Sequence, residues 1–356
     1  LNLGDDADME VKLTIAKNLI EKGEFENDRS VKIKSVTGYQ MTTQTFFEVE
    51  SSYYADCSGD SILAPLSGAE FRYGREAREE FNETIPPVVA DKKTMGMSCL
   101  FQIRETDHKV DFIPPSWAYR YESDAELPYK DHDKNNNFWW IELGGEWDCI
   151  HDTDRCRDEL LKICYGVWDH MKNHGDHGVE NWELEWIGFL PGKRESRRYV
   201  GRHIVTQNDV EAEGRFPDIV AYAGWSMDDH HPGGFRAKEK PTIFHPAPTP
   251  YGIPYRSMYS RNIGNLFMAG RNISVTHVAL GTVRVMRTTG MMGEVVGMAA
   301  AICRRHNCLP RDVYKNHLPE LKEMMRKGVG RGLPQPPQKY NLGALSRCGF
   351  LKEENV

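Results

Sequence analysis

The pattern of apolar and polar positions is sharpest between residues 263 and 305. A short apolar run over 265–269 stops at Gly270, which is typical of a buried strand followed by a sharp turn. We predict a loop over 271–280 and then a long helix from Gly281, with Met, Val and Ala on most of its faces, so that it is buried nearly all round. Three glycines would form a flat strip on this helix where another backbone approaches closely: Gly290, Gly293 and Gly297.

Elsewhere the pattern predicts short strands and five further helices. Alternating residues over 31–36 and 45–50 indicate a strand pair, preceded by a helix, or the remains of one, over 9–21. A strand running into Asp56 leads to a short helix over 62–67, capped by Asp60 or Ser61. The other predictions are strands over 137–143, 182–190 and 219–225, an amphipathic helix over 153–174 capped by Asp152 or Thr153, a short helix at Gln207 capped by Asn208, a helix over 318–326, and a polar surface excursion over 104–137.

Composition limits the classes of function. The 356 residues suffice for two domains, and a formal net charge of −7 without a basic bias argues against a nucleic-acid partner. No apolar run is long enough to span a bilayer. The eight cysteines contain no CxxC pair and are interpreted as reduced core thiols, which favours the cytoplasm without fixing the compartment.

Three groups of polar residues have both a structural and a functional interpretation. The histidines at 170, 174 and 177 have metal-compatible spacing, but we favour a polar helix end and predict no metal site. The basic run over 191–201 is interpreted either as a solvated hairpin or as a site for anionic or hydroxylated groups. The turn over 226–234 contains His230 and His231, which are either surface residues or acid–base candidates.

Several segments together resemble a known family. The run from Asn265 to Arg271, the run Gly281–Met286, the turn Asp56–Asp60 and the basic run over 191–201 are similar to motifs of bacterial FAD-dependent oxidoreductases in the glutathione-reductase-like superfamily. The resemblance implies an α/β fold, with a Rossmann-like FAD-binding domain and an inserted mixed α+β substrate domain. No GxGxxG motif occurs, so the FAD domain is expected to be incomplete at its N-terminus, its cradle lying upstream or on another chain.

The resemblance also implies domain boundaries. Residues 1–75 would form part of the FAD-binding domain with a small β-meander, and residues 76–250 the substrate domain. The chain would return to the FAD-binding domain over 251–310 and end in a helix and tail over 311–356.

The cofactor implied is FAD. The residues implied to bind it are Ser58, Gly59, Asp60, Gly270, Arg271, Asn272, Gly281, Thr282, Val283 and Arg284. Backbone N–H groups of 282–284 would face the pyrimidine edge of the flavin, where negative charge accumulates on reduction. The catalytic candidates are His277 for proton transfer, Arg284 for added positive charge unless it pairs with an acidic residue, His231 as an acid–base group, and Arg198, which with Arg197 would hold the substrate.

The substrate is expected to be a small molecule. Seven of the eight tryptophans and the arginine run favour a carbohydrate or a polyhydroxylated acid; these tryptophans are at 117, 139, 140, 147, 182, 186 and 225. Two alternatives stay open: a flavin-free carbohydrate- or protein-binding module derived from this fold, and one half of a split flavoenzyme. The sequence leaves a homo-oligomer open as well.

Overall fold

The computed structural model describes residues 12–16 and 31–328. The strands are β1 (Lys12–Ala16), β2 (Lys32–Gln40), β3 (Thr45–Glu50), β4 (Tyr54–Asp56), β5 (Phe71–Arg72), β6 (Met97–Ser98), β7 (Phe101–Glu105), β8 (Glu142–Leu143), β9 (Trp182–Ile187), β10 (Gly192–Lys193), β11 (Arg198–Tyr199), β12 (Ile219–Ala223), β13 (Met227–His230), β14 (Thr242–His245), β15 (Tyr251–Pro254) and β16 (Leu266–Met268). The helices are α1 (Leu63–Ser67), α2 (Arg78–Phe81), α3 (Thr153–Asn173), α4 (Gln207–Glu211), α5 (His277–Val283), α6 (Met286–His306), α7 (Pro310–Asn316) and α8 (Leu318–Lys327).

The described residues divide into two compact units. Unit 1 contains residues up to 91 together with 197–227 and the residues from 245 onward, and unit 2 contains 92–196 and 228–244. Residues 76–91, 197–227 and 245–250, which the sequence analysis assigned to the substrate domain, therefore group with unit 1. None of the helices in the described ranges is long and apolar enough to cross a membrane.

Unit 1 begins with an antiparallel meander in the order β1-β2-β3. The predicted strand pair is confirmed, with β2 running against β3 from Ser35 opposite Glu50 to Gln40 opposite Thr45. The predicted helix over 9–21 is wrong at Lys12–Ala16, which pairs as a strand with β2; the rest of that prediction lies outside the described residues. The sequence Lys-Leu-Thr-Ile alternates polar and apolar positions, which suits a strand better than a helix.

The centre of unit 1 is the parallel pair of β4 and β16. All three residues of β16 are fully buried, as the apolar run predicted. Asn265, just before β16, fixes this pair to the meander, because its side-chain amide accepts from the N–H of Ile33 at 2.8 Å and donates to the carbonyl of the same residue at 2.8 Å. The predicted strand ending at Asp56 and the short helix after it are confirmed as β4 and α1.

The helical region after β16 differs from the prediction. Helix α5 begins at His277 rather than Gly281, because the hydroxyl of Thr276 caps it by accepting from the N–H of Ala279 at 3.3 Å. The helix then breaks at Val285, whose ψ of 143° is extended, before α6 begins. One face of α6 is exposed, and no atom of the described residues lies within 4 Å of a Cβ built on the three glycines of the expected contact strip, Gly290, Gly293 and Gly297.

Two other predicted helix caps are also wrong. Helix α1 has Ile62 at its N-cap, and the carboxylate of Asp56 takes the N–H of Leu63 instead of Asp60 or Ser61 capping it. Helix α4 is capped by Thr206 rather than Asn208. Helix α3 has Asp152 at the N-cap position as predicted, although without a side-chain hydrogen bond to the helix.

Unit 2 is built around α3. All seven positions at helical spacing are buried, as predicted: Cys156, Leu160, Ile163, Cys164, Val167, Trp168 and Met171. The predicted strands over 182–190 and 137–143 are realised as the longer β9 and the two-residue β8. The segment Phe138–Ile141 is apolar because it packs into the core outside a strand, with the ring of Phe138 stacked at 4.2 Å on Phe101.

The basic run over 191–201 is not a solvated hairpin. Its two short strands have different partners, β10 pairing with β6 in unit 2 and β11 with β5 in unit 1. Glu195, Ser196 and Arg198 are each at most 1% exposed. The charged groups of Glu195 and Arg198 are therefore held inside the protein, where each requires a partner.

Candidate functional site

Two loops of unit 1 meet where the parallel strands β4 and β16 end. Met268 lies opposite Asp56, so the loops that follow, 57–62 and 269–276, leave the same edge of the sheet. Ligands of open α/β sheets bind outside the carboxyl ends of the strands. These loops carry six residues that the sequence analysis assigned to cofactor binding: Ser58, Gly59, Asp60, Gly270, Arg271 and Asn272.

Asp56 organises the first loop from a buried position. Its Oδ1 accepts from the N–H of Ser58 at 2.9 Å and from the hydroxyl of the same residue at 2.7 Å. Its Oδ2 accepts from the N–H of Leu63 at 3.0 Å and from the hydroxyl of Tyr199 at 2.5 Å. Burial, reinforced by the charge of Asp56, raises the pKa of Tyr199 well above its usual value, so this hydroxyl keeps its proton for the bond.

Arg271 ties the second loop to the first. Its Nη1 donates to the carbonyl of Gly59 at 2.6 Å and its Nη2 to Oδ1 of Asp60 at 2.7 Å. Gly59 has φ of +79°, and a Cβ there would lie 2.9 Å from the Arg271 guanidinium. Arg197 adds a bond from its Nε to the carbonyl of Asp60 at 2.9 Å. The loop 57–62 is thus fixed by two cations.

Asn272 is a polar residue of this region whose bonding is incomplete. Its Nδ2 donates to Asp56 at 3.2 and 3.3 Å, whereas its Oδ1 is buried with no hydrogen-bond partner among the residues that the structure describes. Gly270 has φ of +112°, and a Cβ there would meet only this Oδ1 at 3.4 Å. A buried acceptor without a donor is costly, so this position calls for a ligand or water hydrogen bond.

The N-terminus of α5 is occupied by a buried ion pair. Oε1 of Glu76 accepts from Nη2 of Arg198 at 2.8 Å, and Oε2 accepts from the N–H of His277 at 2.9 Å. The side chains of Glu76 and Arg198 are 4% and 1% exposed. Arg198 also donates to the carbonyl of Gly74 at 2.7 Å. Its charge is therefore used to hold Glu76 at the positive end of α5.

A second buried carboxyl lies beside the same helix start. Oε1 of Glu83 accepts from the hydroxyl of Thr276 at 2.7 Å and from the N–H of Gln207 at 2.6 Å. Its Oε2 is buried without a hydrogen-bond partner in the described part of the chain. Burial raises the pKa of Glu83, and the nearby charge of Glu76 raises it further, while the neighbouring His277 opposes the rise.

The residues that were expected at the start of the long helix lie elsewhere in the structure. His277 is the first residue of α5 rather than part of a loop, and it is buried. The residues Gly281, Thr282 and Val283 lie in the second half of α5, where the hydroxyl of Thr282 accepts from Tyr251 at 3.1 Å. The N–H of Arg284 is bonded to the carbonyl of Leu280 at 3.1 Å. The helix start that could face a ligand edge is therefore not at 282–284.

His231 belongs to unit 2. It is more than a third exposed, with its Nδ1 accepting from the N–H of Gly233 at 3.1 Å and its Nε2 at 3.8 Å from Glu239. The neighbouring His230 is buried and bonded through Nδ1 to Glu142 at 2.7 Å. The predicted polar turn is thus partly the strand β13.

The sequence analysis assigned no site role to four residues that organise these sites. Asp56, Glu76, Glu83 and Tyr199 are all buried and each makes contacts that are distant in sequence. Periodicity does not mark the two glutamates, because each lies among polar neighbours in the sequence, where burial of a single carboxylate leaves no apolar pattern.

The comparison with protein families decides the assignment. The family model described as "FAD dependent oxidoreductase" matches residues 9–325. This chain belongs to the FAD-dependent oxidoreductase family. Searches of curated proteins and of solved structures gave no significant match. Membership makes the chain an oxidoreductase with FAD as its cofactor, and indicates a Rossmann-like FAD-binding fold, in keeping with the mixed helices and strands described above.

The start of α6 fits the electron-rich part of this cofactor. The first turn of this 21-residue helix has no acidic residue and no side-chain cap, and Met286 is 89% exposed. The first N–H groups of a helix lack intrahelical acceptors and carry partial positive charge. The start of α5 is already neutralised by Glu76, whereas the start of α6 has no acidic side chain in its first turn. Together with Gly270 and Asn272, the residues present fit FAD.

Proposed function

We propose that this FAD-dependent oxidoreductase exchanges a hydride with a small organic substrate, with unit 1 binding the cofactor and unit 2 acting as an inserted substrate domain. When bound, FAD supplies an isoalloxazine ring whose N5 accepts or returns the hydride. The observation that carries the proposal is the match over residues 9–325, combined with the paired loops at the carboxyl ends of β4 and β16.

The chain's own contribution to binding would come from three places. The N–H groups that open α6, with Arg284 and Arg287 close by in sequence, would stabilise negative charge at the edge of the ring. Asn272 would use its Oδ1 to accept from a hydroxyl of the cofactor. Ser58, Gly59, Asp60 and Arg271 would hold the loop 57–62 in shape.

Proton transfer would use His277 and Glu83. The imidazole of His277 would take the proton of a substrate hydroxyl as the hydride leaves, and Oε2 of Glu83 would receive or return that proton. A carboxyl with a raised pKa is suited to both steps near neutral pH. Arg198 would act as a positioning residue, since it is buried and holds Glu76 against the N–H of His277. His231 stays a candidate acid–base group of unit 2.

The substrate class that the sequence favoured remains a carbohydrate or a polyhydroxylated acid. Unit 2 presents two exposed tryptophans, Trp117 at 51% and Trp186 at 58%. Their faces are suited to the apolar side of a sugar ring.

The test is spectroscopic. The purified chain should carry bound FAD, with bands near ~450 and ~370 nm, and a panel of hydroxylated acids and sugars should bleach the lower-energy band in the absence of oxygen. His277→Gln and Glu83→Gln should retain the bands and slow bleaching by about 10²-fold or more. A colourless chain that takes up no added FAD would contradict cofactor binding. Unchanged bleaching rates in both variants would contradict the proton path only.

A further inference from the structure

Four side chains of the types that bind metal ions lie close together in unit 2, outside the site described above. Asp124, His132, His170 and His177 each offer a ligand atom, and these atoms all lie within 4.8 Å of one another. The side chains come from different places in the fold: Asp124 from a 3-10 turn over Asp124–Glu126, His132 from the irregular segment after it, His170 from the last turn of α3, and His177 from the loop that follows.

Two of the imidazoles have their tautomer fixed by backbone carbonyls. Nδ1 of His170 lies 2.8 Å from the carbonyl oxygen of Tyr121, and Nδ1 of His132 lies 2.7 Å from that of Lys130. A carbonyl oxygen can only accept, so in both rings Nδ1 carries the hydrogen and a neutral ring presents a lone pair at Nε2. This is the arrangement in which a second-shell carbonyl orients a metal-binding histidine.

The Nε2 lone pairs face the carboxylate of Asp124, which also offers only acceptor atoms. Oδ1 of Asp124 lies 2.9 Å from Nε2 of His170, 3.3 Å from that of His132 and 3.8 Å from that of His177. Acceptors this close require a proton or a metal cation between them. Protons on all three rings would bring three like charges together, with ring centroids 4.8 to 4.9 Å apart.

His177 supports a single shared cation. Its Nε2 is buried and has no hydrogen-bond partner among the described residues, although the carboxylate is nearby. A metal ion at the centre would give this atom a partner. Four ligands at about 2.0–2.2 Å in a tetrahedron are separated by roughly 3.3–3.5 Å. The three distances from Asp124 Oδ1 lie on both sides of that value.

We propose that Asp124, His132, His170 and His177 form a structural site for a divalent transition metal, with zinc as the expected ion. Three imidazoles and one carboxylate favour zinc over magnesium or calcium, which prefer all-oxygen sites. Four protein ligands complete a tetrahedral shell, as in structural rather than catalytic zinc sites. The metal would fasten the irregular segment between β7 and β8 to the end of α3.

The structure supplies a matched control and a competing group. His174 lies on the same helix end, but its Nε2 is 3.4 Å from Asp169 and it is not part of the cluster. In unit 1, His306, His317 and Glu320 also approach one another. There the carboxylate is already paired with Arg305, so it is a weaker metal ligand. Glu320→Gln would remove any zinc bound at this second group.

The experiment measures zinc on the full chain. Metal content is determined by mass spectrometry after purification, and the chelator-stripped protein is titrated with Zn²⁺ against a chromophoric chelator. One tight equivalent is expected in the wild type, in His174→Ala and in Glu320→Gln. Asp124→Asn, at a 74% exposed side chain, and His177→Ala should weaken it by more than the ~10–100-fold that loss of a second-shell partner costs.

A structural readout accompanies the titration. Zinc should protect the segment 106–137 against limited proteolysis in the wild type and in His174→Ala, but not in His177→Ala. Co²⁺ should give the visible bands of a tetrahedral ion in the same two proteins. Absence of tight zinc binding in the wild type would overturn the proposal. So would equal affinity in Asp124→Asn, His177→Ala and His174→Ala.

Discussion

Replacing Glu76 by Gln tests the buried ion pair at the start of α5. The carboxylate accepts two bonds, from Arg198 at 2.8 Å and from the N–H of His277 at 2.9 Å. An amide has one acceptor oxygen and one NH₂ donor, so one of these two donors would face another donor. The buried guanidinium would also lose the carboxylate that it contacts at 2.8 Å.

The magnitude follows from burial. Removing one partner of a buried ion pair costs about 3–5 kcal/mol, because the remaining charge stays desolvated. Glu80→Gln is the matched control, since this carboxylate pairs with Arg72 on the surface and is 41% exposed. Exposed pairs contribute about 0–1 kcal/mol. The same change from Glu to Gln should therefore destabilise the protein much more at position 76 than at position 80.

The assay should be local, because a chain of two units need not unfold in a single step. Hydrogen exchange of the peptide containing α5 is suitable. Protection should fall between roughly 100-fold and several thousand-fold in Glu76→Gln, as each ~1.4 kcal/mol is a factor of ten. The double variant Glu76→Gln with Arg198→Met should recover much of the loss, since it removes the unpaired charge. Equal protection in Glu76→Gln and Glu80→Gln would refute the reasoning.

Four further substitutions have expected outcomes. Gly270→Ala should lower the thermal midpoint and the FAD content, because φ is +112° there. Gly293→Ala, in an open helical position, should instead raise the free energy of unfolding by ~1 kcal/mol, and calorimetry and absorbance on both proteins check this. Because burial raises the pKa of Glu83, the free energy of unfolding of the wild type should fall as pH rises from about 4.3 through the folded-state pKa. Glu83→Gln should flatten that fall in urea titrations across pH, and a pH profile parallel to that of the wild type would contradict the prediction. Tyr199→Phe should cost about 1–3 kcal/mol by removing a donor from buried Asp56, and urea unfolding that matches the wild type would count against this role.

The elements that were predicted correctly from the sequence are those whose apolar residues recur at a regular spacing and form a buried face. Helix α3 is the clearest case, because seven apolar positions at helical spacing all became core. The region 137–143 shows the limit of this reasoning. Its aromatic residues suggested a strand, but Phe138 and Trp140 are buried by the packing of their rings. The backbone of this region forms strand pairing only at Glu142–Leu143. Apolar composition predicts burial more reliably than it predicts the backbone.

The helix start at His277 was missed because two signals competed. Gly281 was interpreted as the beginning of the helix, whereas Thr276 is the residue with a capping hydroxyl. The loop contacts among Gly59, Asp60 and Arg271 were predicted as a group only through family resemblance. Spacing alone does not indicate that residues about 210 positions apart will touch. The histidine cluster of unit 2 has the same limitation, since Asp124 and His170 are 46 residues apart.

The starts of α5 and α6 differ in how their positive charge is used. The first turn of each helix presents N–H groups without intrahelical acceptors and carries partial positive charge. At α5 the fold uses this charge itself, by burying Glu76 against it and neutralising that carboxylate with Arg198. At α6 the fold supplies no acidic side chain in the first turn, and Met286 is exposed. The break at Val285 therefore separates a helix whose start is neutralised within the fold from one whose first turn has no acidic side chain.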